Sequence, residues 1–141
     1  MGGVSKRKAV PGDVCEVALG DGRFAYGRVL KDASIAVYRS ISERPDTPPI
    51  GEREFLFMVG VYDDVPGSAA APVVGHDPFS SEDEAWPPPQ KVGDPITGRV
   101  RIYHHGEIQE AEDPAAASEL EKAAVWDLRH IVERIREALP L

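Results

Sequence analysis

Between residues 13 and 30 apolar side chains recur at every second position and then reverse across a glycine-rich turn. Cys15, Val17 and Leu19 share one face of a predicted strand, Gly20, Asp21 and Gly22 supply a positive-φ reversal, and Phe24 and Tyr26 alternate with Ala25 and Gly27 on the way back. Gly27 inside that second strand marks a bulge or a close backbone approach. "SIAVYR", 34 to 39, reads as a third strand joined to the second by Lys31 to Ala33. "EFLFMVGVY", 54 to 62, is apolar on both faces, which predicts a strand in the middle of the sheet, covered on each side. A second hairpin is expected over 97 to 111, with Val100 and Ile102 on one face and a turn at His105-Gly106.

Two proline-rich stretches, "ERPDTPPIGE" at 43 to 52 and "WPPPQKVGDP" at 86 to 95, interrupt the strands. Proline fixes φ and lacks a donor, so both are expected to be irregular or polyproline-like. After residue 113 the period changes to 3.6. Asp113 before Pro114 is an N-cap signal for a helix running to about Ala124. Asp127 caps a second helix in which Leu128, Ile131, Val132, Ile135 and Leu139 form one stripe, and Pro140 ends it. Trp126 between the two is expected to bury its ring at the corner. The fold class is therefore α+β: a strongly curved antiparallel sheet or SH3-like barrel of five to seven short strands with two C-terminal helices.

The 141 residues suit a single domain, 1–141, with 1–10 as a flexible N-terminal tail. An apolar fraction of 42% against 28% charged is that of a globular protein. The longest nearly uncharged stretch, 65 to 75, is broken by two prolines and is far short of the roughly 20 residues of a membrane span. "MGGVSKRKAVPGD" has no apolar segment behind its basic residues, so no secretory signal is read, and a single cysteine builds no internal disulfide. These features predict a cytoplasmic protein without membrane association. A net charge of −8 argues against a nucleic-acid ligand, since Lys6, Arg7 and Lys8 form only a small basic tail, and it favours a cationic partner, although acidity also serves solubility alone.

Candidate chemistry is sparse. There is no phosphate-binding glycine loop, nucleophile elbow, HExxH or CxxC pair. His104 and His105 are adjacent, so on a strand they are expected to face opposite ways and not share an ion. His76-Asp77 lies in a loop without a spaced second ligand, Cys15 reads as a small core residue, and His130 with Glu133 and Arg134 reads as the outer face of the last helix. No catalytic residue, cofactor or metal is predicted, and the chain is not read as an enzyme.

"PGDVCEVALGDGRFAYGRVL", "DPITGRVRIYHHGEIQEA" and "LEKAAVWD" together resemble the immunity protein 26 family of bacterial polymorphic toxin systems. The likeness covers the first thirty or so residues and about 94 to 127, and is weak from 64 to 93. It implies a mostly β protein with a helical end, encoded beside a toxin, often a nuclease, that it neutralises by direct binding. Among the matched positions, Gly12, Asp13, Gly20, Asp21, Gly22 and Gly27 serve turns, while Tyr103, Gly106, Trp126 and Asp127 serve a hairpin and a helix start. The competing class is a regulatory or ligand-binding barrel unrelated to toxins, which the same strands would serve. If the partner is a basic toxin domain, the stretch "GHDPFSSEDEAWP", 75 to 87, offers charges in Asp77, Glu82, Asp83 and Glu84 and anchors in Phe79 and Trp86. The bland alternative for this stretch is a solvated loop with both rings tucked into the core.

Overall fold

A computed structural model describes residues 8–139. Four consecutive strands, β1 (Asp13–Ala18), β2 (Phe24–Leu30), β3 (Ser34–Tyr38) and β4 (Phe55–Val61), pair as antiparallel neighbours. The β1–β2 reversal is closed by the Leu19 amide donating to the Arg23 carbonyl at 3.0 Å, with Gly20 and Gly22 at φ 84° and 86°. Those angles favour residues without a Cβ. Gly27 is a close approach: a Cβ there would overlap the Ile35 side chain of β3. The β2–β3 turn is unusual, because Asp32 (φ 60°) and Ala33 (φ 45°) are both left-handed without being glycine. The Ala33 carbonyl accepts the Val61 amide at 2.8 Å, which ties this turn to β4.

Strand β5 (Val73–His76) returns antiparallel to β1, and β9 (Val125–Trp126) pairs parallel to β4, giving the order β5-β1-β2-β3-β4-β9. Closure would need hydrogen bonds between first and last strands. Here β5 and β9 are the two edges of an open sheet, so the expected SH3-like barrel is not formed. A second sheet holds β6 (Gln90–Gly93), β7 (Val100–His104) and β8 (Glu107–Glu110). Nine strands among the described residues thus exceed the expected five to seven, because both edges carry short pairings with distant chain. Strand β6 lies in a stretch expected to be irregular; residues 90–93 contain no proline and pair with β7 in register Gln90↔Tyr103. The β7–β8 turn is the expected His105-Gly106, at φ 52° and 79°.

Helix α1 (Pro114–Ala117) starts as predicted, with the Asp113 carboxylate accepting the Ala116 amide at 3.2 Å, but ends after one turn instead of continuing to Ala124. Tertiary hydrogen bonds take the chain away: the Lys91 amide donates to Glu121 and the Ala123 amide to Lys91, at 2.9 and 2.8 Å. The segment then joins β4 beside Gly60, where a Cβ would lie 2.7 Å from the Ala124 carbonyl oxygen. Helix α2 (Leu128–Ala138) is capped by Asp127, which accepts the His130 amide at 2.8 Å. Its Ile131 and Ile135 are buried against Leu19, Ile35, Val37, Phe57 and Val59, with Val132 and Leu139 packed at the margin.

On the opposite face of the sheet Val14, Tyr26 and Tyr38 form a second cluster with Phe24, Phe55 and Val74. Strands β2 and β3 are therefore covered on both sides, whereas β4 alternates, burying Phe57, Val59 and Val61 and leaving Leu56 and Met58 half-open. The central position expected for β4 belongs to its neighbours, since β4 is flanked on its outer side only by two-residue β9. Trp126 is half-buried against the core, with the Arg134 guanidinium 5.1 Å from its ring and its buried Nε1 unpartnered among the described residues. Of the tail expected over 1–10, residues 1–7 lie outside the described residues; Ala9 packs beside Cys15 and Val17, and the Val10 amide donates to Asp13 at 2.9 Å. Pro140 likewise lies outside them.

Candidate functional site

Arg28 is a charged residue in the middle of a covered strand. Alternation puts it on the face of β2 that carries Tyr26, away from α2, and the chain between β5 and β6 crosses over it. At 1% exposure its guanidinium cannot be left to water, and the crossing loop supplies its acceptors. Nε donates to the Asp77 carbonyl at 2.9 Å, one terminal nitrogen to the Pro78 carbonyl at 2.7 Å and the other to Glu84 Oε1 at 2.8 Å. The Phe79 ring packs against the same guanidinium, 4.1 Å from its carbon.

The Asp77 carboxylate, 2% exposed, is saturated: Oδ2 accepts the Tyr38 hydroxyl at 2.6 Å, the Gly51 amide at 3.2 Å and Arg53 at 2.9 Å, and Oδ1 accepts Arg53 at 3.1 Å. Burial alone would raise its pKa, but the bonds from Arg53, Tyr38 and Gly51, with the charge of Arg28, outweigh that and hold it at about 2. Glu84 is also held at about 2, first by the Ser80 hydroxyl and amide and then by Arg28. The Tyr38 hydroxyl is pushed far above the usual phenol range by burial and by its bond to Asp77. Two ionised, fully bonded carboxylates of this kind hold a loop in place and are poorly suited to exchanging protons near neutral pH.

The rest of the loop is fixed by the β2–β3 turn. The Lys31 amide donates to the Ala85 carbonyl at 2.8 Å, and its ammonium pairs with Glu82 and lies 5.5 Å from the centre of the Trp86 ring. Trp86 stacks on His105 at 4.3 Å, and His105 lies 4.0 Å from His104. The two histidine rings thus meet instead of facing opposite ways, because left-handed His105 belongs to the turn and not to the strand. The Tyr103 hydroxyl donates to Asp32 at 2.7 Å, binding the second sheet to the same turn. Between the sheet face and the loop remains a cleft of about 340 Å³, with Leu30, Ala36, Phe55 and Met58 on one side and Asp83, Trp86, Pro87, Pro88 and His104 on the other.

The six residues expected to face a partner divide into two groups. Asp77 is not a surface charge: it is interior, its carboxylate held by Tyr38, Gly51 and Arg53 with the buried Arg28 guanidinium 3.7 Å away. Glu84, with its side chain 22% exposed, also turns inward to Arg28 and Arg53, and Phe79 is half-buried on Arg28. Glu82 and Asp83 point outward in or beside one turn of 3-10 helix over Asp83–Ala85, and Trp86 is half-exposed behind them. No motif or local spacing marks the residues that mount the loop, Arg28, Tyr38, Arg53 and Lys31. A lone arginine within the otherwise apolar run "FAYGRVL" was the available signal. His76 contacts Asp13 at 3.0 Å, and no group of three or more His, Cys, Asp or Glu among the described residues could hold a metal ion.

No curated protein and no solved structure matches the chain. The family model described as Immunity protein 26 matches residues 10–101, about two thirds of the chain. The match takes in the whole crossing loop, where the sequence likeness is weak, and stops before the end of β7, short of the C-terminal segments that also carry the likeness. By that match, over strands β1 to β6, the Arg28 mount and the loop it holds, the chain belongs to the immunity protein 26 family.

Proposed function

We propose that this chain neutralises a cognate toxin by binding it directly, with the loop over 77–86 as the toxin-facing element. Family membership supports toxin immunity in general. The observation that supports this surface is the loop's mount on Arg28, Tyr38 and Arg53, which consumes Asp77 and Glu84 from within and leaves Glu82 and Asp83 on the outside of a fixed turn. A preorganised loop loses little conformational freedom on binding. With a net charge of −8 the favoured partner is a basic toxin domain, such as that of a nuclease, drawn in by long-range attraction and blocked by occupancy without chemistry. The action is placed in the cytoplasm, where such a toxin would meet its substrate. A ligand-binding barrel is less well supported, because the sheet is open.

The test is co-expression with the toxin domain encoded beside this chain. Growth should be restored and the two chains should co-purify. Loss of growth in the presence of folded, soluble chain, or rescue without a complex, would overturn the proposal.

A further inference from the structure

The geometry points to the cleft beneath the crossing loop as the anchor site of the complex, occupied by a lysine or arginine side chain of the toxin. This rests on the proposal that the chain binds its toxin directly. The cleft, about 340 Å³, is at the small end for a ligand pocket, a size that suits one long side chain better than a cofactor. Its floor is apolar, formed by Leu30, Ala36, Phe55 and Met58. Such a floor suits the methylene stem of a basic side chain.

The charges at the rim select the head group. Arg28 and Arg53 line the cleft, but their guanidinium groups are already committed to Asp77, Glu84 and backbone carbonyls. Asp83 is the one carboxylate of the lining without a cation among the described residues. It stands at the start of the 3-10 turn and is exposed. A cation entering along the apolar floor would meet that unmatched charge, whereas an acidic side chain would be repelled by it. The Trp86 wall is held by its stack on His105, so the site is formed before the partner arrives. Buried central anchors of this kind dominate the lifetime of a complex, while exposed charges set its rate of formation.

The experiment measures the affinity of the full chain and three variants for the purified toxin domain encoded beside it. Met58→Trp fills the cleft, Met58→Ser strips its floor without adding bulk, and Asp83→Asn removes the rim charge at an exposed position. Thermal unfolding confirms that each variant is folded. We expect each to weaken binding at least tenfold, and the Met58 methyl and Trp86 indole signals of the wild-type chain to shift on titration with the toxin domain. Wild-type affinity in folded Met58→Ser and Asp83→Asn, or shifts confined to α2, overturns the cleft while leaving direct binding intact. Weakening by the Met58 changes alone overturns the cationic occupant in favour of an apolar one. Absence of any binding by the wild-type chain overturns both this inference and the function on which it rests.

Discussion

Replacing Arg28 with methionine tests what holds the crossing loop to the sheet. The substitution keeps an apolar stem of similar length and removes three charge-assisted hydrogen bonds, at 2.9, 2.7 and 2.8 Å, to the Asp77 and Pro78 carbonyls and to Glu84. It leaves two carbonyls without their donors and removes one of the two cations beside the Asp77 and Glu84 carboxylates, Arg53 being the other. Breaking a buried pair from one side costs about 3–5 kcal/mol, a large part of the roughly 5–15 kcal/mol that stabilises a domain. With a urea m value of about 2 kcal/mol/M the midpoint should fall by roughly 2 M. Arg28→Lys keeps the charge but not the planar fork, and should fall between the two. Hydrogen exchange gives the local readout: the Ser80 amide, bonded to Glu84 at 2.8 Å, should lose protection in the methionine variant. A midpoint within about 0.5 M of wild type, with unchanged m, would refute the mount, since the loop would then be held by something other than Arg28.

Acid should weaken the protein in a defined window. Asp77 has its pKa lowered from 3.8 to about 2 on folding, so its stabilisation is present above about pH 4 and is lost as pH falls toward 2; about 2 kcal/mol is expected from this group, and Asp77→Asn should flatten the acid limb of stability measured by urea titration at successive pH values. Trp126→Ala should cost about 2 kcal/mol, less than full burial would give, because the ring is half-exposed beside Arg134. Loss of toxin binding at an unchanged denaturation midpoint would instead make Trp126 an interface residue. Gly27→Ala should destabilise by about 1–3 kcal/mol through overlap with Ile35, and Ile35→Val in the same chain should recover part of the loss; an additive double variant would show that the two side chains do not compete.

Features that depend on neighbouring residues were legible before the structure. The Gly20–Gly22 reversal, the His105-Gly106 turn and the Asp113 and Asp127 caps each form where sequence places them, because their geometry is set within four or five residues. Features that depend on distant partners were not. Nothing local shows that residues 121–126 leave a helical pattern to bridge Lys91 and Gly60, or that β4 has only two residues of β9 on its outer side. The candidate loop divides along the same line. Its composition shows charge and two aromatic rings, but which carboxylates face inward depends on Arg28, Tyr38 and Arg53, 24 to 56 residues earlier in the chain. Strand alternation would send the His104 and His105 rings to opposite faces, and the left-handed turn at His105 cancels it.

Direct, charge-steered binding through the mounted loop, as proposed, is tested most directly by the rate of association with a cognate toxin domain, measured at several ionic strengths for wild type and for the double reversal Glu82→Lys, Asp83→Lys. Both positions are exposed, but Glu82 also pairs with Lys31, so thermal unfolding and circular dichroism are run on the variant to establish that it stays folded. Steering by these charges predicts slower association and a shallower dependence of the rate on salt in the variant. Rates and salt dependence that coincide with wild type at every ionic strength would contradict it.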